Sequence, residues 1–296
     1  MKPSPYQISA FTHAARQRSF SRAAAELEVT QSSVTQHVAK LERLLGTPLF
    51  VRRREGLEMT AAGRELFAVT DRLRTLENIV EEKVASFGAL SAGYLRIVAN
   101  APRPVMPMIS RFSELYPGVR IDFALVGWTL GMRQLKEREI DIALITEPEG
   151  VDGLYVRELC ATRYRAFVPC DHPLAGRGTI SLGDLQAHLL ILPEDGSLTQ
   201  RVVNAKAAEH GLQFPRIFKC QTFPVVKEAV LHGIGVGVIL EDSLFPSPGM
   251  AALDIEEMPE RYSICVATSA DKSGLRLVKS FIDLAVDYAE TVSRDH

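Results

Sequence analysis

A chain of 296 residues, 46% hydrophobic, is long enough for two or three cores at about 150 residues per domain and needs no disulfide staples. Its four cysteines, Cys160, Cys170, Cys220 and Cys265, lack both the CxxC spacing of a zinc or redox site and the density of a secreted disulfide scaffold, so reduced thiols are expected. The formal net charge of -2 argues against a protein that coats nucleic acid along its whole length, and nowhere do eighteen apolar residues run together.

The start, "MKPSPYQISAFTHAARQRSF", has no apolar signal region after its lysine, so a soluble cytoplasmic protein without a membrane partner is expected. Charge is unevenly spread. Residues 1 to 60 carry nine Lys/Arg against five Asp/Glu, which suggests that this end meets a polyanion while the acidic remainder does other work.

Residues 6 to 45 read as short helices, with Ile8, Phe11 and Ala15, then Ala24 and Leu27, then Val34, Val38, Leu41 and Leu45 at helical spacing. Ser21 is a natural N-cap for a helix through Leu27, and Thr30 caps the next, from Gln31 onward. Ala23, Ala24 and Ala25 allow that second helix to approach closely, as a helix-turn-helix requires. With Val34 at the centre of its buried face, the opposite face is Ser32, Gln36, Lys40 and Arg43, flanked by Gln31 and Ser33 near the N-terminus. Short hydroxyls and amides there suit base edges, whereas Lys40 and Arg43 suit phosphates or merely solvent. In "GTPLFVRRREGLEMT", a strand-like Leu49-Phe50-Val51, the basic run Arg52-Arg53-Arg54 and the turn signal Glu55-Gly56 predict a β-hairpin wing beside that helix.

From Thr60, a second plausible N-cap, a proline-free helix runs to about Phe87. Its apolar positions, Leu66, Val69, Leu73, Leu76, Val80, Val84 and Phe87, approximate a heptad seam, for which pairing with another copy of the chain is the economical explanation. After the break "GALSAGY", the strand-like runs "YLRIVA", "VRIDFALV", "IDIALI", "YRAFVP", "LLILP", "GVGVIL" and "YSICVATS" are interleaved with helical patterns at 103 to 115, 129 to 138, 198 to 210 and 223 to 232. This alternation implies a largely parallel sheet covered on both faces and divided into two α/β lobes, with a closing helix over Leu275 to Val292.

Signals for catalysis are thin. "GIGVG" at 233 to 237 follows a helix and precedes a strand, the reverse of a dinucleotide loop, and there is neither a GxSxG elbow nor an HExxH. The seven histidines are scattered, with His172 and His188 read as ordinary loop residues, so no enzyme, cofactor or metal is expected.

The segment "FTHAARQRSFSRAAAELEVTQSSVTQHVAKLERLLGTPLFVRRREGLEMTAAG", followed by "ELYPGVRIDFAL", "LKEREIDIALIT", "DHPLAG", "ISLGDL" and "VLHGIGVGVILED", resembles the LysR-type transcriptional regulators over essentially the entire chain. The resemblance implies an N-terminal all-α winged helix-turn-helix over 1–59, a long linker and dimerisation helix with hinge over 60–91, and a C-terminal α/β two-lobed domain similar to a periplasmic binding protein over 92–296. Lobe I would take 92–167 plus 268–296 and lobe II 168–267, with crossings near Phe167-Pro169 and Val266-Thr268. It also implies a homodimer or homotetramer that binds a double-stranded operator, responds to a small-molecule effector and meets RNA polymerase.

The DNA-binding residues implied are Ser21, Arg22, Thr30, Gln31, Ser32, Ser33, Thr35, Gln36, Lys40, Arg52, Arg53 and Arg54. Ser32 stands where the family often has proline and Gln36 where it often has arginine, which leaves operator preference open. For the effector, matching positions are Asn100, Ala101, Arg103, Trp128, Thr146, Ser197 and Phe223. Asn100 and Arg103 depart from the family's usual serine or threonine. Arg103 reads either as an anchor for a carboxylate or phosphate or as a surface arginine held by a nearby acid. Trp128 reads as a lid or as core, and Ser197 as a ligand donor or an N-cap. The alternative to a regulator is a cytosolic solute-binding module with no role on DNA.

Overall fold

The computed structural model describes residues 2–53, 56–84, 93–243 and 247–294. The chain divides into two compact units, residues 1–87 together with 137–139, and residues 88–136 with 140–296.

In the first unit, α1 (Pro5–Gln17) opens with a reciprocal cap: the Ser4 hydroxyl accepts from the Gln7 N–H at 3.3 Å and Gln7 Oε1 accepts from the Ser4 N–H at 2.7 Å, with Pro5 fixing the first helical φ. The second helix, α2 (Phe20–Glu26), starts earlier than expected. Its cap is Ser19, not Ser21, because Ser19 is extended and its hydroxyl accepts the Arg22 N–H at 3.3 Å, while Phe20 packs edge-on to Phe50. Of the three alanines, Ala23 and Ala24 are buried and Ala25 faces solvent, so two small residues, not three, make the close approach.

Helix α3 (Gln31–Leu45) is capped by the Thr30 hydroxyl, which accepts from the Ser33 N–H at 3.2 Å, and ends on the left-handed Gly46. Val34, Val38 and Leu41 enter a core with Phe11, Ala14, Leu49 and Phe67. Leu45 does not join them and is 47% exposed, and Leu44 packs against this core instead. The wing is the antiparallel hairpin of β1 (Phe50–Arg53) and β2 (Gly56–Met59), held to α3 where Glu42 Oε1 accepts the Leu49 N–H at 2.8 Å. Thr60 caps α4 (Ala61–Val84) through the Gly63 N–H at 3.0 Å. Gly63 is required there, because a Cβ would stand 2.2 Å from the Leu49 carbonyl oxygen. The stripe Val69, Leu73, Leu76 and Val80 along α4 is between 44% and 66% exposed. The seam's last two positions fall away from what the structure describes: the side chain of Val84, and Phe87 entirely, lie outside the described residues.

The second unit runs β3 (Gly93–Ala99), α5 (Pro102–Leu115), β4 (Val119–Leu125), α6 (Trp128–Lys136), β5 (Ile142–Thr146) and the long β6 (Leu154–Pro169). Then come β7 (Thr179–Ile180), α7 (Leu182–Leu185), β8 (Leu190–Leu192), α8 (Leu198–Glu209), β9 (Ile217–Lys219), α9 (Phe223–Leu231), β10 (Val236–Leu240), β11 (Met250–Ile255), β12 (Arg261–Ser269) and α10 (Arg276–Arg294). In the first lobe β4, β3 and β5 are parallel neighbours, and β12 lies antiparallel between β5 and β6. In the second, β6 pairs with β10 and β11, β10 is parallel to β8, and β8 to β9.

The two lobes share β6, which changes partner between Arg163, opposite Arg261 of β12, and Tyr164, opposite Leu240 of β10. That point lies upstream of the crossing expected at Phe167-Pro169. Val266-Thr268 is not a crossing either: Val266 sits between Leu144 and Arg157 inside the first lobe, and the return passes between the end of β11 and the start of β12. Each lobe has its own core, Ile97, Val105, Phe112, Ile142 and Phe281 in one and Ala166, Leu190, Val203, Val238 and Leu253 in the other.

Lys272 reaches from the turn before α10 into the first lobe, where it is 1% exposed and places Nζ 3.1 Å from Asp141 Oδ1; Asp141 Oδ2 also accepts the Arg96 N–H at 3.0 Å. A carboxylate so enclosed keeps its charge at lower cost with the ammonium beside it. Lys272→Met is therefore expected to cost about 3–5 kcal/mol in urea unfolding. Adding Asp141→Asn should recover most of that loss.

Candidate functional site

On α3 the buried stripe turns the opposite face outward. Gln31, Ser32, Gln36, Lys40 and Arg43 are exposed, and Ser33 and Thr35 are half-buried. Ser21, freed from capping, donates its hydroxyl to Gln31 Oε1 at 3.0 Å and so ties the start of α2 to the start of α3. Thr35 donates to the Gln31 carbonyl at 2.9 Å, and the hydroxyls of Thr30 and Ser32 are 2.9 Å apart. Among the described residues no hydrogen bond engages the side chains of Gln36 or Lys40, whereas Arg43 donates to the Ala39 carbonyl at 3.3 Å. Arg22 is exposed in the first turn of α2. Arg52 and Arg53 belong to β1 by backbone, but their side chains, and Arg54 altogether, lie outside the described residues. One neighbour of this face was not anticipated: Tyr6, 76% exposed on α1, stacks on His37 of α3 at 6.2 Å between ring centroids.

The second unit holds an open cleft lined by residues of both lobes. It lies at the carboxyl ends of the strands, where free helix N-termini converge. Asn100 follows β3, Gly127 and Trp128 follow β4, and Thr146 ends β5. From the other lobe come Tyr164 at the partner change of β6, Glu194 after β8, Ser197 and Thr199 at the start of α8, and Thr222 and Phe223 at the start of α9.

Five of the expected effector positions thus line one cavity: Asn100, Trp128, Thr146, Ser197 and Phe223. Asn100 Nδ2 donates to Thr146 Oγ1 at 3.5 Å, both being buried. The Trp128 indole N–H donates to the Thr146 carbonyl at 2.7 Å, and its ring lies under the Arg201 guanidinium at 4.8 Å. Ser197 is buried and caps α8, its hydroxyl accepting the Gln200 N–H at 3.3 Å.

The remaining two are elsewhere. Ala101 packs with Phe167, Phe223 and Val226, and Arg103 donates to Asp242 Oδ1 at 3.5 Å outside the cleft lining. Tyr164, Glu194, Thr199 and Thr222 were not anticipated. Of these Glu194 was within reach of sequence reasoning, since it stands two residues beyond the strand-like run "LLIL". Tyr164 is buried and donates to Thr199 Oγ1 at 3.2 Å, and burial pushes its phenol above the ordinary range, so it stays a donor.

His172 and His188 face each other at 4.9 Å in the second lobe, away from the cleft lining. Burial lifts the Cys160 thiol to about 11 and the Cys265 thiol to about 12, which keeps both protonated and unreactive at neutral pH.

Residues 88–290 match the family described as LysR substrate binding domain, and residues 6–64 match the bacterial regulatory helix-turn-helix proteins of the lysR family. A RuBisCO operon transcriptional regulator from Allochromatium vinosum is 28% identical over 264 residues, 86% of either chain. A full-length OxyR variant from Pseudomonas aeruginosa shares the fold at a TM-score of 0.76 with 19% identity, covering 98% of this chain and 95% of its own. The CcmR regulatory domain of Synechocystis, solved in complex with 2-PG, aligns with 67% of this chain and 98% of its own at a TM-score of 0.60 and 23% identity.

A hydroxyl that caps a helix and one that holds a ligand leave different marks. Ser197→Ala is expected to cost about 1 kcal/mol in urea unfolding and Ser197→Gly only a few tenths, the order of a lost N-cap. Equal losses in the two variants would assign the hydroxyl another task.

Proposed function

Because the chain belongs to the LysR family of transcriptional regulators, which bind DNA through a helix-turn-helix and answer a small-molecule effector, we propose that α3 reads the operator through Gln31, Ser33 and Gln36 while the inter-lobe cleft takes the effector. The observation that carries the reading is the outward face of α3, where Gln36 and Lys40 stand exposed and unengaged above the buried Val34, Val38 and Leu41. Ser21, Arg22, Thr30, Ser32 and Thr35 support the start of that helix and its approach to phosphate, and Arg52, Arg53 and Arg54 of the wing add backbone contacts. The domains follow the limits 1–59, 60–91 and 92–296 in this reading.

The exposed apolar row on α4 pairs with the same row of a second copy, giving a dimer that presents two α3 helices to a partly palindromic site. A DNA reader works where the chromosome is, in the cytoplasm, and this one has no catalytic step of its own. The effector acts by preferring one arrangement of the lobes, and it shifts populations only as far as that preference allows. That a related regulatory domain was solved with 2-PG supports placing a small molecule in this domain.

Gln36 suits the paired donor and acceptor of an adenine edge, whereas arginine suits guanine. Gln36→Arg is expected to move the preferred base at one position from adenine to guanine, by about 1–3 kcal/mol, in a binding-site selection. An unchanged consensus would remove Gln36 from the reading. For the dimer, Leu73→Glu combined with Val80→Glu alters two exposed positions and leaves the unit's own core intact. Sedimentation should then give monomer, and operator affinity should fall about tenfold or more, since two linked half-sites become one.

A further inference from the structure

We propose that the effector carries a protonated nitrogen, an ammonium or guanidinium group, and that Glu194 is the residue that selects it. This rests on the cleft being the effector site. Glu194 is the only formally charged side chain that lines the cleft among the described residues. Its Oε2 is buried and, among the described residues, has no hydrogen-bond partner, and its Oε1 meets only the Thr129 N–H, at 3.4 Å. A charge-assisted bond to a carboxylate is about 2.7–2.9 Å, so the contact at the start of α6 leaves the carboxylate loosely held.

Among the described residues, the cations near the cleft are already paired. Arg201 is bound through both terminal nitrogens to Glu149, at 2.7 and 3.0 Å, and Lys219 lies against Asp195, the neighbour of Glu194, at 2.5 Å. Arg103 lies outside the cleft lining, with its guanidinium 3.5 Å from Asp242 Oδ1. What remains in the lining is neutral: the hydroxyls of Thr146, Ser197 and Thr222, the Asn100 amide and the apolar walls of Trp128 and Phe223. A ligand entering this space lies beside this one carboxylate, whose enclosed Oε2 has to turn toward the cleft to accept from it. A donor that is itself positive supplies both the hydrogen bond and the counter-charge that burial makes costly to lack.

The opposing arrangement is an anionic effector that expels Glu194 from the start of α6. Gly127 gives that idea its footing, because a Cβ there would stand 2.5 Å from Glu194 Oε1, so the missing side chain is what lets the carboxylate in. An anion that did not expel Glu194 would lie beside it, like charge against like in a partly enclosed cleft.

Trp128 is the chain's single tryptophan, so its emission reports cleft occupancy without ambiguity. The full-length protein would be titrated with butylammonium and agmatine, and with butyrate and valerate as carboxylate counterparts, following emission and calorimetric heat in the wild type, Glu194→Gln and Glu194→Asp. The expected result is that a cationic probe changes Trp128 emission and the carboxylates do not. Glu194→Gln should weaken that probe at least about tenfold, with Glu194→Asp in between. The inference is overturned if neither cationic probe changes the emission, or if Glu194→Gln leaves its affinity unchanged. Carboxylates that change the emission, and bind Glu194→Gln more tightly, would overturn it while leaving the cleft as the effector site. Calorimetric binding without any change in Trp128 emission would remove the cleft itself.

Discussion

Only one rotation of α3 about its axis brings Val34, Val38 and Leu41 together against Phe11, Ala14 and Leu49. At about 100° per residue these three fall within one narrow stripe. Each contributes about 1.5–3 kcal/mol by leaving water. No arrangement of hydroxyls and amides on the opposite face competes with that, so the polar residues face outward as a consequence of what the apolar ones must do. Capping adds a second constraint from the same end: Thr30 holds the first turn and Ser21 grips Gln31, which fixes where the exposed groups begin along the helix. Along α4 the same burial rule gives the opposite outcome, because among the described residues of their own unit nothing covers Val69, Leu73, Leu76 and Val80, and they stay exposed.

Much of this was legible before any coordinates. Helices α5, α6, α8, α9 and α10 lie within a residue or two of their expected limits, since α5, α6 and α10 carry a strong 3.6-residue period and α8 and α9 start at clear signals, Ser197 and Pro224. What escaped were strands whose burial does not alternate. The first half of β6, "LYVRELCATR", is half-exposed on both faces and studded with charge, and β9 is an edge strand of three exposed residues. Missing the first half of β6 displaced the expected crossing, because a strand shared by two lobes shows no change in its own pattern where its partners change. The Ser19 cap was missed for a smaller reason: two serines stand two apart, and only the packing of Phe20 decides between them.

The candidate site was legible in position but not in charge. Asn100, Trp128, Thr146, Ser197 and Phe223 were placed by their order after strands and at helix starts, and the carboxyl-end rule brings such positions together in any open α/β sheet. Charge balance obeys no such local rule. Arg103 stands at a helix start, where an arginine suggests an anion, yet its partner Asp242 is 139 residues away in sequence. Glu194, in "PEDG", reads as one acid of a solvated turn, and only the approach of α6 shows that one of its oxygens is enclosed. Whether a charge is free is a property of the folded neighbourhood, and ion pairs between distant residues hide it from the sequence.

Tyr164 joins the cleft to the means by which a ligand could act. It occupies the position at which β6 leaves one sheet and enters the other, lines the cleft, and donates to Thr199 at the start of α8. Packed interiors deform little, so relative movement of the lobes has to be absorbed where the sheet changes partner, along β6 and in the return between β11 and β12. A molecule in the cleft touches residues of both lobes and this junction at once. On the proposed reading, its preference for one lobe arrangement follows from how well Asn100, Trp128 and Thr146 on one side, and Glu194, Ser197 and Phe223 on the other, meet it together.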